Sequence, residues 1–455
     1  MSTYPAPRYP RLRKPTTDDV RRKLEKLLSP RPGSNLRLWP DYGIVPGDKI
    51  LLVSLTEHHP LVIDTFRQLL QDKGARVDLV TIDSTPVAPP HDLASHEAIS
   101  MGKEEDDFSY YYSVMCDLIR PATARGMIER EHYTKMISGA AGPVPPVPIP
   151  WRRFGFFNLE DYTEGGVVDF PPQLFEAIAA RTWEQILSCE RLHLTDPEGT
   201  DVGWTNYQDE RVFYPGHLFA RPMNIGHGFK GRDDCEGVIA GTTNHMGAFP
   251  YTRAYLERGQ VVRVEGGGVY GDAWREKLDM YRETRLPPLK FLYGRQAEYE
   301  IPDTGLFWFF ECAIGGEPKV FRLEQEGLFK CYANCLHERR RTGFIHNGLG
   351  PPMGQTKPGL PWVHVHIHCL FATLEGVTKR GEPVLIIDKG HLTALDDPKI
   401  VEMASRYGDS KELLQEAWWP AIPGINAPGD YMRDFARDPV SWTTKETKEH
   451  PYWVG

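Results

Sequence analysis

The body of this chain carries no Lys/Arg block. Over 455 residues, 53 basic side chains face 62 acidic ones, for a net charge of −9. Nucleic-acid recognition needs a basic stripe or patch, so no nucleic-acid partner is expected. Apolar runs are short, and none approaches the roughly 20 residues that span a bilayer, so no membrane partner is expected either. The opening Met1-Ser2-Thr3-Tyr4-Pro5 holds no hydrophobic leader. The seven cysteines are an odd number and lie scattered, as thiols do in a reducing cytoplasm rather than in a disulfide framework. Cys331-x-x-x-Cys335 is half of a zinc site at most, since no second cysteine pair completes it. The basic, proline-rich stretch from Arg8 to Arg22 lacks aromatic platforms; it reads as an arm that drapes over a neighbour or stays mobile.

What is present suits two domains. Pro46-Gly47-Asp48 is a turn, and Lys49 to Leu55 is a continuous apolar strand. His59 to Lys73 carries Leu61, Val62, Phe66, Leu69 and Leu70 at helical spacing; Gly74 closes the helix, and Val77 to Asp83 is a second strand. Strand, helix, strand at this length predicts a right-handed parallel crossover. The turn after the first strand, Thr56 to Pro60, contains no glycine, so a dinucleotide fingerprint is absent and no nucleotide cofactor is expected. Gly139 to Pro150 reads as an extended linker or wall loop. A helix follows over Pro172 to Cys189, and from Arg191 the texture changes to short strands and glycine turns. The expected fold is therefore α/β. An N-terminal parallel, Rossmann-like domain (1–185) precedes a larger, mixed, mainly antiparallel α+β domain (186–455) that ends in a Trp- and Pro-rich tail.

The chemistry concentrates in Val363-His364-Val365-His366-Ile367-His368-Cys369-Leu370-Phe371. Period-two alternation is a strand pattern, so the three imidazoles leave one face. Imidazole is the commonest neutral metal ligand, and a strand holds such ligands at fixed spacing. The bland alternatives are a solvent-facing strand or a hydrogen-bonded core row. Glu311 lies inside the apolar run Leu306 to Ile314, and a buried acid must be paired, hydrogen-bonded or bound to metal. His346 precedes a glycine turn, and His245 lies in a turn rich in glycine and proline. His58, after the first strand, faces the ligand side of a parallel sheet.

The succession Leu194-Thr195-Asp196-Pro197-Glu198-Gly199-Thr200-Asp201, His245 to Pro250, Glu311-Cys312-Ala313-Ile314-Gly315, His346-Asn347-Gly348-Leu349-Gly350 and His366-Ile367-His368 resembles the aminopeptidase T (leucyl aminopeptidase) metallopeptidases. It is similar also to a branch of that superfamily, the Fe(II)-dependent 2,5-dihydroxypyridine dioxygenases. The peptidases carry a glutamate in the turn that matches His245, a His-x-Asp pair where this chain has His366-Ile367-His368, and a tyrosine that Asn347 to Thr356 lacks. The dioxygenases also keep His-x-Asp. One carboxylate and several neutral imidazoles would not hold two dications together in a low-dielectric pocket. Two histidines and one carboxylate around a single metal match non-haem Fe(II) oxygenases. The resemblance thus implies an Fe(II) ring-cleaving dioxygenase acting on a hydroxylated aromatic or N-heteroaromatic with O2. Its metal ligands would be Glu311, His366 and either His364 or His368, with His346 as an alternative ligand or base. His245 or His58 would move the proton, and Trp308, Phe249 and Trp362 would line the pocket. The alternative is a hydrolase, amidase or aminopeptidase, using zinc or another divalent metal. A homodimer is what the resemblance implies.

Overall fold

The computed structural model describes residues 4–28, 43–55, 58–82, 121–138, 149–154, 156–206, 223–224, 235–244, 247–282, 289–293, 297–301, 308–320, 340–350 and 365–454. Most of the proline-rich segment 139–150, together with Cys331 and Cys335, lies outside them.

A parallel unit forms first. Helix α1 (Thr17–Leu28) precedes strand β1 (Lys49–Leu55), helix α2 (Pro60–Asp72), strand β2 (Arg76–Ile82), helix α3 (Pro121–Glu131), strand β3 (Lys135–Ser138) and strand β4 (Trp151–Arg153). The sheet order is β2-β1-β3-β4, every pair parallel. β1 reads as a continuous apolar run because both of its faces are covered. Ile50 and Leu52 enter one core with Val62, Phe66 and Phe157, while Leu51 and Val53 enter another with Ile128 and Met136. Pro60 occupies the first turn of α2, where its missing N–H costs nothing.

A second, 12-stranded sheet carries the rest. Its strands are β5 (Cys189–Thr195), β6 (Asp201–Thr205), β7 (Met223–Asn224), β8 (Glu236–Asn244), β9 (Gly247–Glu257) and β10 (Gln260–Gly266). After a separate β11–β12 hairpin (Leu289–Tyr293, Ala297–Ile301) come β13 (Trp308–Ile314), β14 (Ile345–Gly350), β15 (Val365–Cys369), β16 (Thr373–Thr378), β17 (Pro383–Asp388) and β18 (His391–Leu392). The order is β15-β14-β13-β10-β9-β8-β6-β5-β16-β17-β18, with β7 beside β13 and neighbours antiparallel. Consecutive strands β15 and β16 thus stand at far points of this path. The sheet coils until β15 backs onto β8, as twisted sheets of many strands do. Helix α4 (Pro172–Ser188) lays Leu174, Ile178, Trp183 and Ile186 into the main core, and helix α5 (Gly268–Tyr281) adds Tyr270 and Trp274. No helix among the described residues is long and apolar enough to cross a membrane. Cys189, Cys235, Cys312 and Cys369 are buried.

The N-terminal stretch departs from the expected arm. Val20, Leu24, Leu27 and Leu28 make one face of α1 and are buried against the parallel unit, a helical period that the intervening charges disguise. Before it, Arg8 and Trp419 exchange backbone hydrogen bonds at 2.9 Å each, and Leu12 bonds Tyr452 and Val454. The arm therefore packs on this chain's own C-terminal tail. Trp418, Trp419, Ile422, Phe435 and Tyr452 of the tail share a small core with Phe344, Leu370 and Phe371. Phe344 sits just before β14, and Leu370 and Phe371 just after β15. The tail therefore walls one end of both strands.

Candidate metal centre

β15 sends Val365, Ile367 and Cys369 into the main core, so His366 and His368 leave from the opposite face. Neighbouring strands complete that face through register. On β14, Gly348 pairs with His366 and His346 with His368; on β13, Glu311 pairs with Gly348 and Ala313 with His346. Directly opposed residues share a face, which makes two rows, Glu311–Gly348–His366 and Ala313–His346–His368. Gly348, in the middle of the first row, has no side chain, and Ala313, at the β13 end of the second, has only a methyl.

His346, His366 and His368 are 0%, 2% and 0% exposed. His346 Nδ1 lies 2.9 Å from His368 Nε2, so one nitrogen donates and the other accepts. The ring of His346 is 4.2 Å from that of His366 and 4.9 Å from that of His368, between centroids. Phe344 stands edge-on to His368 at 4.9 Å, linking this imidazole to the core beneath the tail. Since the mutual bond engages His346 Nδ1 and His368 Nε2, a metal held by either ring would be held through its other nitrogen. Among the described residues, one trio of ligating side chains has its atoms all within 4.8 Å of one another: Glu446, Glu449 and His450, at the surface. The strand histidines stand side by side without drawing three nitrogens to one point. This geometry suits a hydrogen-bonded pair in which one ring binds metal and the other orients it, with the His366 ring 4.2 Å from that of His346. Two or three neutral imidazoles with one carboxylate fit a single divalent cation.

The other expected residues fall as follows. His245, His364 and Trp362 lie outside the described residues, as do the side chains of Glu311 and Trp308, whose backbones belong to β13. Phe249 is buried in the main core and stacks on Tyr270 at 4.2 Å; the Tyr270 hydroxyl donates to the His366 carbonyl at 3.2 Å. His58 is buried in the parallel unit, its Nδ1 3.2 Å from Ser54 Oγ and its ring 4.8 Å from that of Phe157.

One polar cluster had no place among the expected site residues. The turn between β5 and β6 buries Asp196 and Glu198 behind β15. Asp196 accepts the Glu198 N–H at 2.9 Å and the Phe371 N–H at 3.0 Å. Glu198 Oε1 accepts hydroxyls from Thr242 at 2.8 Å and, from the tail, Tyr431 at 2.7 Å, while Oε2 is buried without a partner. Burial raises both carboxyls above their ordinary range, and Asp196 pushes Glu198 up further. Burial, with Asp196 next, raises the Cys369 thiol well above its usual value. The signal was the Thr-Asp-Pro-Glu-Gly-Thr turn, but only the fold brings Tyr431 to it.

No protein-family model and no curated protein matches the chain. Among solved structures, the chain is similar to 2,5-dihydroxypyridine dioxygenase from Pseudomonas putida KT2440, with a TM-score of 0.45, 13% identity, and 83% of this chain and 98% of that one covered. It is similar also to wild-type AmpT from Thermus thermophilus, with a TM-score of 0.37, 13% identity, and coverage of 82% and 99%.

Proposed function

We propose that the chain is a mononuclear, non-haem Fe(II) dioxygenase that opens the ring of a hydroxylated aromatic or N-heteroaromatic. One observation carries the reading: three buried histidines and the backbone position of Glu311 share one face of the sheet. Glu311, His366 and one ring of the His346–His368 pair would hold the metal. An Fe(II) ion bound there would supply the site for O2 and for the substrate's hydroxyl oxygen. The ring that binds metal would donate its remaining N–H to the second ring, 2.9 Å away, which accepts it and so fixes the first ring's tautomer. His245 and His58 remain the candidates for taking the ring-hydroxyl proton, and Trp308 and Trp362 for lining the pocket; Phe249 is packed in the main core on the other side of the strand. The same donors would serve a zinc hydrolase, with Glu311 as ligand or base.

Metal content of anaerobically purified protein, then oxygen uptake with dihydroxypyridines and hydroxylated benzenes, separates the two. Stoichiometric iron with substrate-dependent oxygen consumption is expected. Bound zinc with amide hydrolysis and no oxygen consumption would sink the dioxygenase reading.

A further inference from the structure

We propose that the outer edge of the histidine strand rests in a built cradle, in which Tyr270 and Gly241 are positioning residues that set His366 and His368 for metal binding. The proposal rests on the metal-centre reading above and names residues outside its donor set.

Among the described residues, β15 has one ladder partner, β14. Its other edge must be located by something else, since a strand paired on one side can slide or tilt. Three contacts away from β14 hold the strand at successive points. The Tyr270 hydroxyl donates to the His366 carbonyl at 3.2 Å. Gly241 of β8 stands against the next turn of backbone: a Cβ there would lie 2.8 Å from Ile367 Cγ2 and 3.0 Å from the His368 carbonyl oxygen. Cys369 Sγ then donates to Thr200 Oγ1 at 3.4 Å. Two of the three contacts fall on the carbonyls of the two described strand histidines.

Each element of the cradle is itself fixed. Tyr270 is 3% exposed, stacked on Phe249 and edge-on to Trp274. It reaches the strand because Gly266, Gly267 and Gly268, at φ of 75°, 80° and 51°, turn β10 abruptly into α5 through left-handed backbone that other residues resist. Gly241 lies in the β8–β9 ladder, where it pairs with Thr252. An alanine there would meet a branched methyl and a backbone oxygen, neither of which can swing aside, so β15 itself must retreat. Retreat by a few tenths of an ångström is enough to disturb a 2.9 Å bond between His346 and His368.

The test uses the full chain and Co(II) alone, followed by d–d absorption, together with imidazole NMR of the metal-free protein. Tyr270→Phe keeps the stacked ring and removes one oxygen. Its Co(II) affinity should fall about 10- to 100-fold, as when outer-shell partners of metal ligands are lost. Its melting temperature should stay close to wild type, and the His346–His368 imidazole proton should shift. Gly241→Ala should weaken Co(II) at least as much. Ile367→Ala in the same chain, by removing the clashing methyl, should restore part of the affinity, a coupling that general destabilisation would not produce. Wild-type Co(II) affinity and unshifted imidazole resonances in Tyr270→Phe would overturn the cradle, and this arm holds even if Gly241→Ala does not fold. A wild-type chain that binds no Co(II) would overturn the metal-centre reading instead, and the metal-free resonances would then decide the cradle.

Discussion

Tyr431→Phe removes one oxygen from the joint between the C-terminal tail and the main sheet. The ring keeps its edge-on contact with Tyr251 at 5.8 Å, so the loss is confined to the 2.7 Å bond to Glu198 Oε1. Thr242 still donates to the same oxygen at 2.8 Å, so the acceptor is not orphaned, and the effect is that of a single hydrogen bond. Against a protonated acid that bond contributes about 0.5–1.5 kcal/mol, and against a carboxylate about 1.5–3 kcal/mol. Burial, reinforced by Asp196, raises the folded pKa of Glu198, so the neutral value applies in acid and the larger one only above the raised range. The variant should therefore lose more as pH rises. The background slopes the same way: a carboxyl raised on folding contributes stability that is full below its unfolded pKa and lost as pH climbs through the folded one. Native-state hydrogen exchange at the Trp419 and Asp434 amides, bonded to Arg8 and Asp430, reads opening of the tail. Protection should fall up to about tenfold near pH 5 and roughly 10- to 100-fold near pH 9, at about 1.4 kcal/mol per decade. Equal losses at both ends, or protection that ignores the substitution, would refute a Glu198 that changes charge beneath the tail.

Buried and half-buried polar groups give four further outcomes. Burial pushes Glu317 up to about 8 in spite of the Lys319 N–H, Lys319 and Arg340. Wild-type melting temperature should thus decline between the ordinary carboxylate range and about pH 8, and Glu317→Gln should flatten that decline; parallel curves would contradict it. For His391, burial pulls the pKa down, but Glu416 and then Asp396 outweigh it and carry the ring up to about 9. The stabilisation it contributes is full below its unfolded value and lost as pH rises through about 9, so His391→Gln should melt earlier near neutrality and match wild type in strong alkali. Arg341 is fully buried, donates to the Leu370 carbonyl at 2.9 Å and lies over Trp419 at 4.4 Å. Its replacement by Ala should destabilise by about 2–5 kcal/mol through the cavity and the carbonyl it leaves unpaired, and denaturation that leaves the tail signals coincident with wild type would count against that joint. His368→Ala should lower Fe(II) affinity without unfolding the sheet; unchanged affinity would remove His368 from both the ligand and the orienting role.

Local patterns were the most legible part of the chain. Lys49–Leu55 stands where a continuous apolar run put it, and the crossover helix Pro60–Asp72 differs from the reading by one residue at each end. The period-two histidines share a face as alternation requires. Elements joined over long separations were harder to see. That His346 would lie opposite His368 depends on antiparallel register across 22 residues, and nothing in either segment alone encodes it. Tyr431 reaches Glu198 across 233 residues, carried by a tail whose tryptophans signal burial but not destination. The helix Thr17–Leu28 was hidden because arginine and lysine fill its outer face, although its four apolar positions recur at helical spacing. Composition reported the solvated side, and periodicity the buried one.

The placement of acids bears on how many metals the histidine face can hold. Asp196 and Glu198 are the described carboxyls that back onto β15. Asp196 bonds the Phe371 N–H, and Glu198 Oε2 lies 3.7 Å from the point where a Gly241 Cβ would meet the His368 carbonyl. Burial favours the protonated form of both, so they lend that face little negative charge. The proposed donor set then adds one carboxylate, at the Glu311 position, to the imidazoles. Two dications about 4 Å apart repel by roughly 17 kcal/mol even at an effective dielectric of roughly 20, and one carboxylate offsets a quarter of their charge. A single cation has no such deficit. Binding of a second equivalent of Co(II) at the histidine face, with affinity comparable to the first, would show that a carboxyl this arrangement holds neutral ionises when metal arrives.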